Sequence, residues 1–254
     1  MISDALTLIR TDLLKLRRRR GLMALAGLIA VGGVSIFFIV NAVRHGSNPL
    51  EAGPAGGIKH FEDSTDFLAM MGVVVAAILG ATAGAGDAEA GVLRDLVATG
   101  RPRGQLFLSR ATAGVAMTIV IMVAGLTVAT VCSVALAGSV RAPSVSYILQ
   151  RDASVLAFAG VTALVTVGAA TFARTRGPVM AVVIALGVIV SQLLLQATFL
   201  GDVRDVLPLA AFEHLAGDTT RTLEMSTGVA IVVFLAWAVA ATGVGNWWAR
   251  RMEV

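Results

Sequence analysis

The residue types that could do chemistry are concentrated in one polar stretch, residues 87–110, which reads DAEAGVLRDLVATGRPRGQLFLSR. Residues 89–98 carry an apolar face at helical spacing, formed by Val92, Leu93, Leu96 and Val97. Residues 99–102, Thr-Gly-Arg-Pro, then break that helix. The pattern predicts a short amphipathic helix, a turn and the base of a further apolar helix.

Such a helix can bind in a cleft of a soluble partner, with its charges orienting the contact and selecting the partner. The alternative is an ordinary solvated loop whose charges only enforce membrane topology.

Catalytic groups are sparse elsewhere in the chain. The three histidines, His45, His60 and His214, lie outside the apolar runs and share no ligand spacing. An intramembrane serine protease would therefore lack a histidine base at membrane depth. The single cysteine, Cys132, lies inside an apolar run, which excludes a disulfide framework and a zinc cluster. The sequence predicts no catalytic residue and no metal site.

Residues for phosphate chemistry are also missing from the sequence. An intrinsic ATPase needs the loop G-x-x-x-x-G-K-[ST], whereas neither lysine, Lys15 or Lys59, is followed by serine or threonine. Asp87 and Asp95 lack the repeated aspartate spacing with which diphosphate-using membrane transferases hold magnesium. If ATP drives this protein, a separate chain must bind the nucleotide.

The elements that position the polar stretch are apolar runs. Hydrophobic residues make up 57% of the 254 residues and charged residues 14%, and the mean hydropathy is +0.84. These values are typical of a polytopic membrane protein. The sequence predicts an all-α membrane domain over residues 1–254 with six spans: residues 22–43, 67–86, 111–138, 155–172, 178–199 and 227–247.

The N-terminal segment, residues 2–16, alternates apolar and polar residues at helical spacing, which predicts an amphipathic helix lying in the membrane interface. Four arginines follow at residues 17–20. A signal peptide is the competing interpretation. The apolar run that follows is too long for its hydrophobic region, and no convincing small-residue cleavage site comes after it.

Charge distribution predicts the orientation. Six spans place both termini on one side, and 14 of the 20 Lys and Arg residues belong to that side. The positive-inside rule therefore predicts that both termini and residues 87–110 are cytoplasmic.

The spans contain no Asp, Glu, Lys, Arg or His, which disfavours ion-driven transport. Gln192 and Gln196 lie one turn apart in the fifth span and are candidates for a substrate path, with interhelical hydrogen bonding as the alternative. Gly80 and Gly84 form a Gly-x-x-x-Gly pattern that predicts close helix packing.

Two connections fall on the opposite side. Residues 44–66 are predicted to form a surface loop with one short helix. Residues 206–212 are too apolar for a free loop and too short to span, so we expect them to dip into the outer leaflet and pack against the last span.

The polar stretch resembles the coupling loop of ABC-2 type ABC transporter permeases, the six-helix membrane subunits of many bacterial exporters. That loop typically reads acidic-x-acidic-x-Gly-Thr-Leu, then a Leu-rich helical turn, then Pro-hydrophobic-Ser-Arg, with Lys seven residues later. The matching residues here are Asp87, Glu89, Gly91, Leu93, Leu96 and Arg103, with Arg110 in place of the lysine. The sequence departs from the pattern at Val92, Gly100, Arg101 and Pro102.

The resemblance implies an N-terminal elbow helix, a coupling helix between spans two and three, and a half-transporter in a bacterial inner membrane. The implied partners are separate ABC ATPase subunits, a second permease copy or a homologue, and membrane lipids, with no nucleic acid. ATP and magnesium would bind the ATPase, and this chain would bind no cofactor. The candidate ATPase-coupling residues are those that match the family pattern, Asp87, Glu89, Gly91, Leu93, Leu96, Arg103 and Arg110, together with Arg94, Asp95 and Arg101, whose charges would orient the contact. The alternative function is a non-transporting membrane scaffold or sensor subunit that docks a cytoplasmic partner.

Overall fold

The computed structural model describes residues 2–48, 53–92, 95–96, 100–217 and 225–251, apart from the side chains of residues 2–5 and 198. The described chain forms eight helices of two turns or more, with a 3₁₀ segment, Thr198–Val206, before the seventh. These helices are α1 Ile2–Arg18, α2 Arg20–Ser47, α3 Ile58–Glu89, α4 Arg103–Ala135, α5 Val145–Ala173, α6 Gly177–Gln196, α7 Pro208–Ala216 and α8 Thr227–Arg251.

Six of these helices, α2, α3, α4, α5, α6 and α8, are long and apolar enough to cross a membrane. The prediction of six spanning helices is confirmed. Two of them begin well before their apolar runs, because α3 starts at Ile58 and α5 at Val145. Within the predicted loop over residues 44–66, residues 44–47 end α2, and the expected short helix is the continuous start of α3 at residues 58–66.

The central helix is α3, which packs mainly against α5 and α4 and is buried along most of its length. Gly80 and Gly84 make this packing close. A Cβ placed on Gly84 would lie 2.6 Å from the carbonyl oxygen of Val167, and one on Gly80 would lie 2.8 Å from Cβ of Thr166. The predicted role of the Gly-x-x-x-Gly pattern is confirmed, because any side chain at these positions would push α5 away.

The bundle has two ends, which we call the α1 end and the α7 end. The α1 end holds α1, the last turn of α3, the first turn of α4 and the turn between α5 and α6. The last turn of α8 also lies there, because Arg250 and Asn246 contact Gly104 at the start of α4. The first and last described helices thus meet at the same end of the bundle, as an even number of crossings requires.

At the opposite end, α7 packs against α5 and α8, which confirms the expected packing of residues 206–212 on the last span. Phe212 stacks on Phe158 of α5 with 5.5 Å between ring centroids. The indole N–H of Trp237 in α8 donates to the carbonyl oxygen of Val206, 2.8 Å away. These contacts fix the 3₁₀ segment and α7 as a cap over this end of the bundle.

Candidate functional site

The connection between α3 and α4 contains the charged residues singled out by the sequence. Helix α3 ends where Gly91 adopts a φ of 72°, a conformation that favours glycine. A helical turn then resumes, because the amide of Leu96 donates to the carbonyl oxygen of Val92. Gly100, with a φ of 76°, and extended Pro102 redirect the chain into α4 at Arg103. Residues 95–96 are thus helical and lie between two glycine turns, and Leu93, Arg94 and residues 97–99 lie outside the described residues.

The base of this connection is tied to α1 by a network of charges. Asp87 in the last turn of α3 pairs with Arg110 of α4 at 2.9 Å and with Lys15 of α1 at 3.3 Å. Lys15 also pairs with Asp12 at 3.1 Å, and Asp12 accepts a hydrogen bond of 2.6 Å from the hydroxyl of Ser109. Helix α1 therefore meets α3 and α4 in one continuous set of ion pairs and hydrogen bonds.

Burial strengthens this network. The side chain of Arg110 is 7% exposed and that of Asp87 is 15% exposed, so water screens their attraction poorly. A charge in such a place is stable only with its partner present, because an unpaired buried ion carries a large desolvation cost. Asp87 and Arg110, both expected to contact an ATPase, thus have strong partners inside this chain.

A second tie joins α3 to α6. The carboxylate of Glu89 accepts a hydrogen bond of 2.6 Å from the backbone amide of Arg176 and also pairs with the Arg176 side chain. Glu89 lies beyond the apolar run that ends at Gly86. The hydrogen bond that the backbone amide of Arg176 donates to its carboxylate lowers the pKa of Glu89 below the ordinary value. Because Arg176 immediately precedes α6, the ionised carboxylate also sits at the positive end of that helix dipole.

The remaining predicted coupling residues that the structure describes are exposed or half-buried. Gly91, Asp95 and Arg101 are exposed, and Leu96 and Arg103 are half-buried. The described coupling residues therefore separate into a base of paired charges, formed by Asp87, Glu89 and Arg110, and an exposed tip. We define the tip by Asp95 and Arg101.

Sequence reasoning missed the residues that complete the base: Asp12, Lys15, Ser109 and Arg176. The spacing of Asp12 and Lys15 marks a polar face on α1, but nothing in it identifies their partners on other helices. Arg19 belongs to the run of four arginines at residues 17–20, and the sequence predicts no partner for it within the chain. Its guanidinium instead lies over Gly86, where a Cβ would be 3.3 Å from Nη2.

The α7 end contains a buried arginine that the hydropathy pattern did not reveal. Arg151 of α5 is 2% exposed, and all its N–H groups face acceptors. Nε donates to Thr65 Oγ1 at 2.5 Å, and Nη2 donates to Asp66 Oδ1 at 2.5 Å and to the Glu62 carbonyl oxygen at 3.2 Å. Nη1 donates to the Ala216 carbonyl oxygen at 3.0 Å and to the Tyr147 hydroxyl at 3.3 Å. This one side chain joins α3, α5 and α7.

The two glutamines proposed for a substrate path have different environments. Gln192 lines a cavity of about 210 Å³ among α3, α5, α6 and α7, together with Asp66 and Glu213. Gln196 is exposed at the end of α6 and does not line this cavity. A π-helical stretch of α6, Ala185–Val190, precedes Gln192 and shifts the register of the residues that follow.

No described set of three or more His, Cys, Asp or Glu side chains is arranged to hold a metal ion. The arrangement at the α1 end can transmit movement between helices. A force applied to the tip would reach α1, α3, α4 and the start of α6 through the paired charges of the base.

A family model described as ABC-2 family transporter protein matches residues 8–193, from within α1 to within α6. No curated protein matches the chain. The matched region covers more than two thirds of the sequence and includes both the base and the tip of the α3–α4 connection.

Proposed function

Because the chain belongs to the ABC-2 family of transporter proteins, a multi-pass membrane component of ABC transporters, we propose that it is the permease subunit of an exporter. In this proposal, two permease subunits form the translocation path, and two separate ATPase subunits drive it. The second permease is another copy of this chain or a homologue.

The observation that carries the proposal is the construction of the α3–α4 connection. Its tip is exposed and charged, which suits a binding surface for a soluble protein. Its base is fixed to three neighbouring elements by Asp87, Arg110 and Glu89. A solvated loop that only enforced topology would not need a buried ion pair at its base.

The mechanism follows from that construction. ATP binding closes the ATPase dimer, and the closing cleft displaces the tip. Because the base is rigid, the displacement moves α3 and α4 together with α1 and the start of α6. The outward path between the two permeases then opens.

The nucleotide chemistry belongs to the partner. The sequence has no phosphate-binding loop, so ATP and magnesium bind the ATPase subunits, and hydrolysis there resets the permease. This chain contributes no catalytic residue.

We assign the α1 end to the cytoplasm of a bacterial inner membrane. The basic residues at that end support this orientation, among them the arginines at residues 17–20 and Arg250 and Arg251. The ATPase therefore meets the α1 end, and the cap formed by α7 faces outward.

Gln192 is our candidate contact for the exported molecule, because it lines the cavity beneath α7. In this scheme α7 closes the outer end of the path. We propose export as the direction.

The test is capture of the ATPase from native membranes in mild detergent. The tip variant carries Asp95→Lys with Arg101→Glu, which reverses two exposed charges without touching the base. The matched control carries Asp202→Lys with Arg141→Glu, two exposed residues at the α7 end. Captured proteins are identified by mass spectrometry and by the G-x-x-x-x-G-K-[ST] sequence.

We expect a protein with this loop to accompany the wild type and the control, and to be lost from the tip variant. Its retention by the tip variant would contradict the assigned docking surface. Its absence from the wild type would contradict the permease function and favour a scaffold or sensor subunit.

A further inference from the structure

A large groove lies in the α1-end half of the bundle, between α6 and α8, with α5 as its floor. Its volume is about 810 Å³, within the range of about 300–1,000 Å³ typical of small-molecule sites. None of its sixteen lining residues is charged. Val182 on one wall and Val244 on the other are 55% and 65% exposed, so no described part of the chain covers the groove.

Small residues create the space. Gly168 of α5 and Gly245 of α8 meet at the floor, where a Cβ on Gly245 would lie 3.3 Å from Cα of Gly168. Helix α8 therefore lies directly on α5, and α6 forms the opposite wall of the groove through Pro178, Val179, Val182 and Val183.

The mouth of the groove has a different chemistry from its interior. Trp247 and Trp248 line it, and Trp248 packs on Phe172 with 4.5 Å between ring centroids. The guanidinium of Arg251 lies 4.2 Å from the Trp247 ring centroid, an arrangement that holds the cation over the mouth. Exposed Arg174 directly follows Ala173, another lining residue.

Two carboxylates at this end have cationic partners away from the groove. Glu89 pairs with Arg176, and Asp87 pairs with Arg110 and Lys15. The mouth itself combines tryptophans, which favour the lipid headgroup level, with the cation of Arg251, which attracts an anion.

We propose that this groove binds one anionic phospholipid, with its acyl chains between α6 and α8 and its phosphate at Arg251. The uncharged interior matches acyl chains, and the basic, aromatic mouth matches an anionic headgroup. A polar ligand would find no hydrogen-bonding side chain along the walls except at the tryptophans. Since the groove lies in the α1-end half, the lipid would belong to the cytoplasmic leaflet. That placement rests on the proposed function, whereas the binding itself does not.

The chain offers a direct probe of occupancy. It contains three tryptophans, Trp237, Trp247 and Trp248, and all three line the groove. Bromine atoms on acyl chains quench tryptophan fluorescence on contact. The purified chain is placed in phosphatidylcholine nanodiscs containing a fixed minor fraction of either brominated phosphatidylglycerol or brominated phosphatidylcholine.

We expect the competition to favour brominated phosphatidylglycerol by about fivefold, since one surface cation attracts an anionic lipid on that scale. Arg251→Gln should reduce the preference toward unity, and Arg251→Lys should keep most of it. Arg44→Gln, an exposed cation at the α7 end, is the matched control and should change nothing.

A second pair of variants tests the acyl-chain part. Ala240 is exposed and lines the groove, so Ala240→Phe should fill it and weaken quenching by both lipids. Ala236→Phe places the same ring on an exposed position of α8 outside the groove and should leave quenching unchanged.

Equal quenching by the two brominated lipids would overturn the anionic selectivity. Weak quenching by both would overturn the proposal altogether, because it would mean that protein, such as a second copy of this chain, covers the groove. No ATPase is present in these nanodiscs. Failure here therefore leaves the proposed function standing, and failure of ATPase capture leaves this result standing.

Discussion

Asp87 and Arg110 form an ion pair of 2.9 Å between the end of α3 and the start of α4. The pair joins the two ends of the α3–α4 connection, whose exposed tip we propose to bind an ATPase. Lys15 joins it from α1, 72 residues away in sequence. The connection between the second and third spanning helices is thus held at a fixed angle to the bundle.

Removing one partner of this pair should destabilise the protein. Asp87→Asn leaves Arg110 buried without its counter-charge, and we expect a loss of about 3 kcal/mol of stability. The double variant Asp87→Asn with Arg110→Gln should cost little more than either single change, because both remove the same interaction. Thermal unfolding in detergent measures the effect, with Asp63→Asn on the exposed side of α3 as the control. Fully additive losses would contradict a direct pairing.

Arg151 should tolerate no conservative replacement. Arg151→Lys keeps the charge but cannot reach all five acceptors, so carboxylate and carbonyl groups around it lose their donor. We expect an unfolding temperature lower by about 5–10 °C, corresponding to about 2–3 kcal/mol. The same change at exposed Arg141 should shift it by less than about 1 °C. An unchanged Arg151→Lys protein would show that the network contributes no stability.

Gly84 should be irreplaceable for a steric reason. A Cβ at this position would come within 2.6 Å of the Val167 carbonyl oxygen, so Gly84→Ala must separate α3 from α5. We expect a cost of about 1–3 kcal/mol, the range found for overpacked cores. Gly243→Ala on α8 is the control, because a Cβ there meets nothing within 4 Å. Comparable unfolding temperatures for the two variants would contradict the close packing of α3 on α5.

The Glu89 contact predicts a pH dependence. The pKa of Glu89 is lowered from its ordinary 4.5 in the folded protein, first by the amide of Arg176. Its contribution to stability is therefore present above the unfolded pKa and is lost as pH falls through the folded value. The difference in unfolding temperature between wild type and Glu89→Gln should be constant above pH 4.5 and shrink below it. A difference that grows on acidification would contradict this assignment.

Hydropathy predicted the six spanning helices because each has an uninterrupted apolar run, and the glycine spacing predicted the packing of α3. The hydropathy pattern placed the starts of α3 and α5 too late, because the first turns of these helices contain charged residues. Their charges are accommodated where the guanidinium of Arg151 meets Asp66 and neighbouring carbonyl groups. This contact depends on how α3 and α5 pack together, and no local pattern in the sequence predicts it.

At the candidate site too, the sequence predicted the segment but not its contacts with other helices. The sequence located the connection and its charges, but it assigned Asp87, Glu89 and Arg110 to an external partner. In the structure each has a partner in another element or turn of the same chain. The π-helical stretch in α6 was equally invisible, since its residues have ordinary helical composition. Whether any of the ten residues contacts an ATPase is a prediction that needs a partner to test it.

Site-specific photo-cross-linking in intact membranes tests the central claim most directly. A photoreactive phenylalanine is introduced at Asp95 or Arg101 in the tip, and at Arg141 at the α7 end as the control. We predict cross-links from both tip positions to a protein carrying the ATP-binding loop, and none from position 141. Absence of that protein from the tip cross-links, in cells that express the assembled complex, would contradict the assignment of this chain as a permease coupled through its α3–α4 connection.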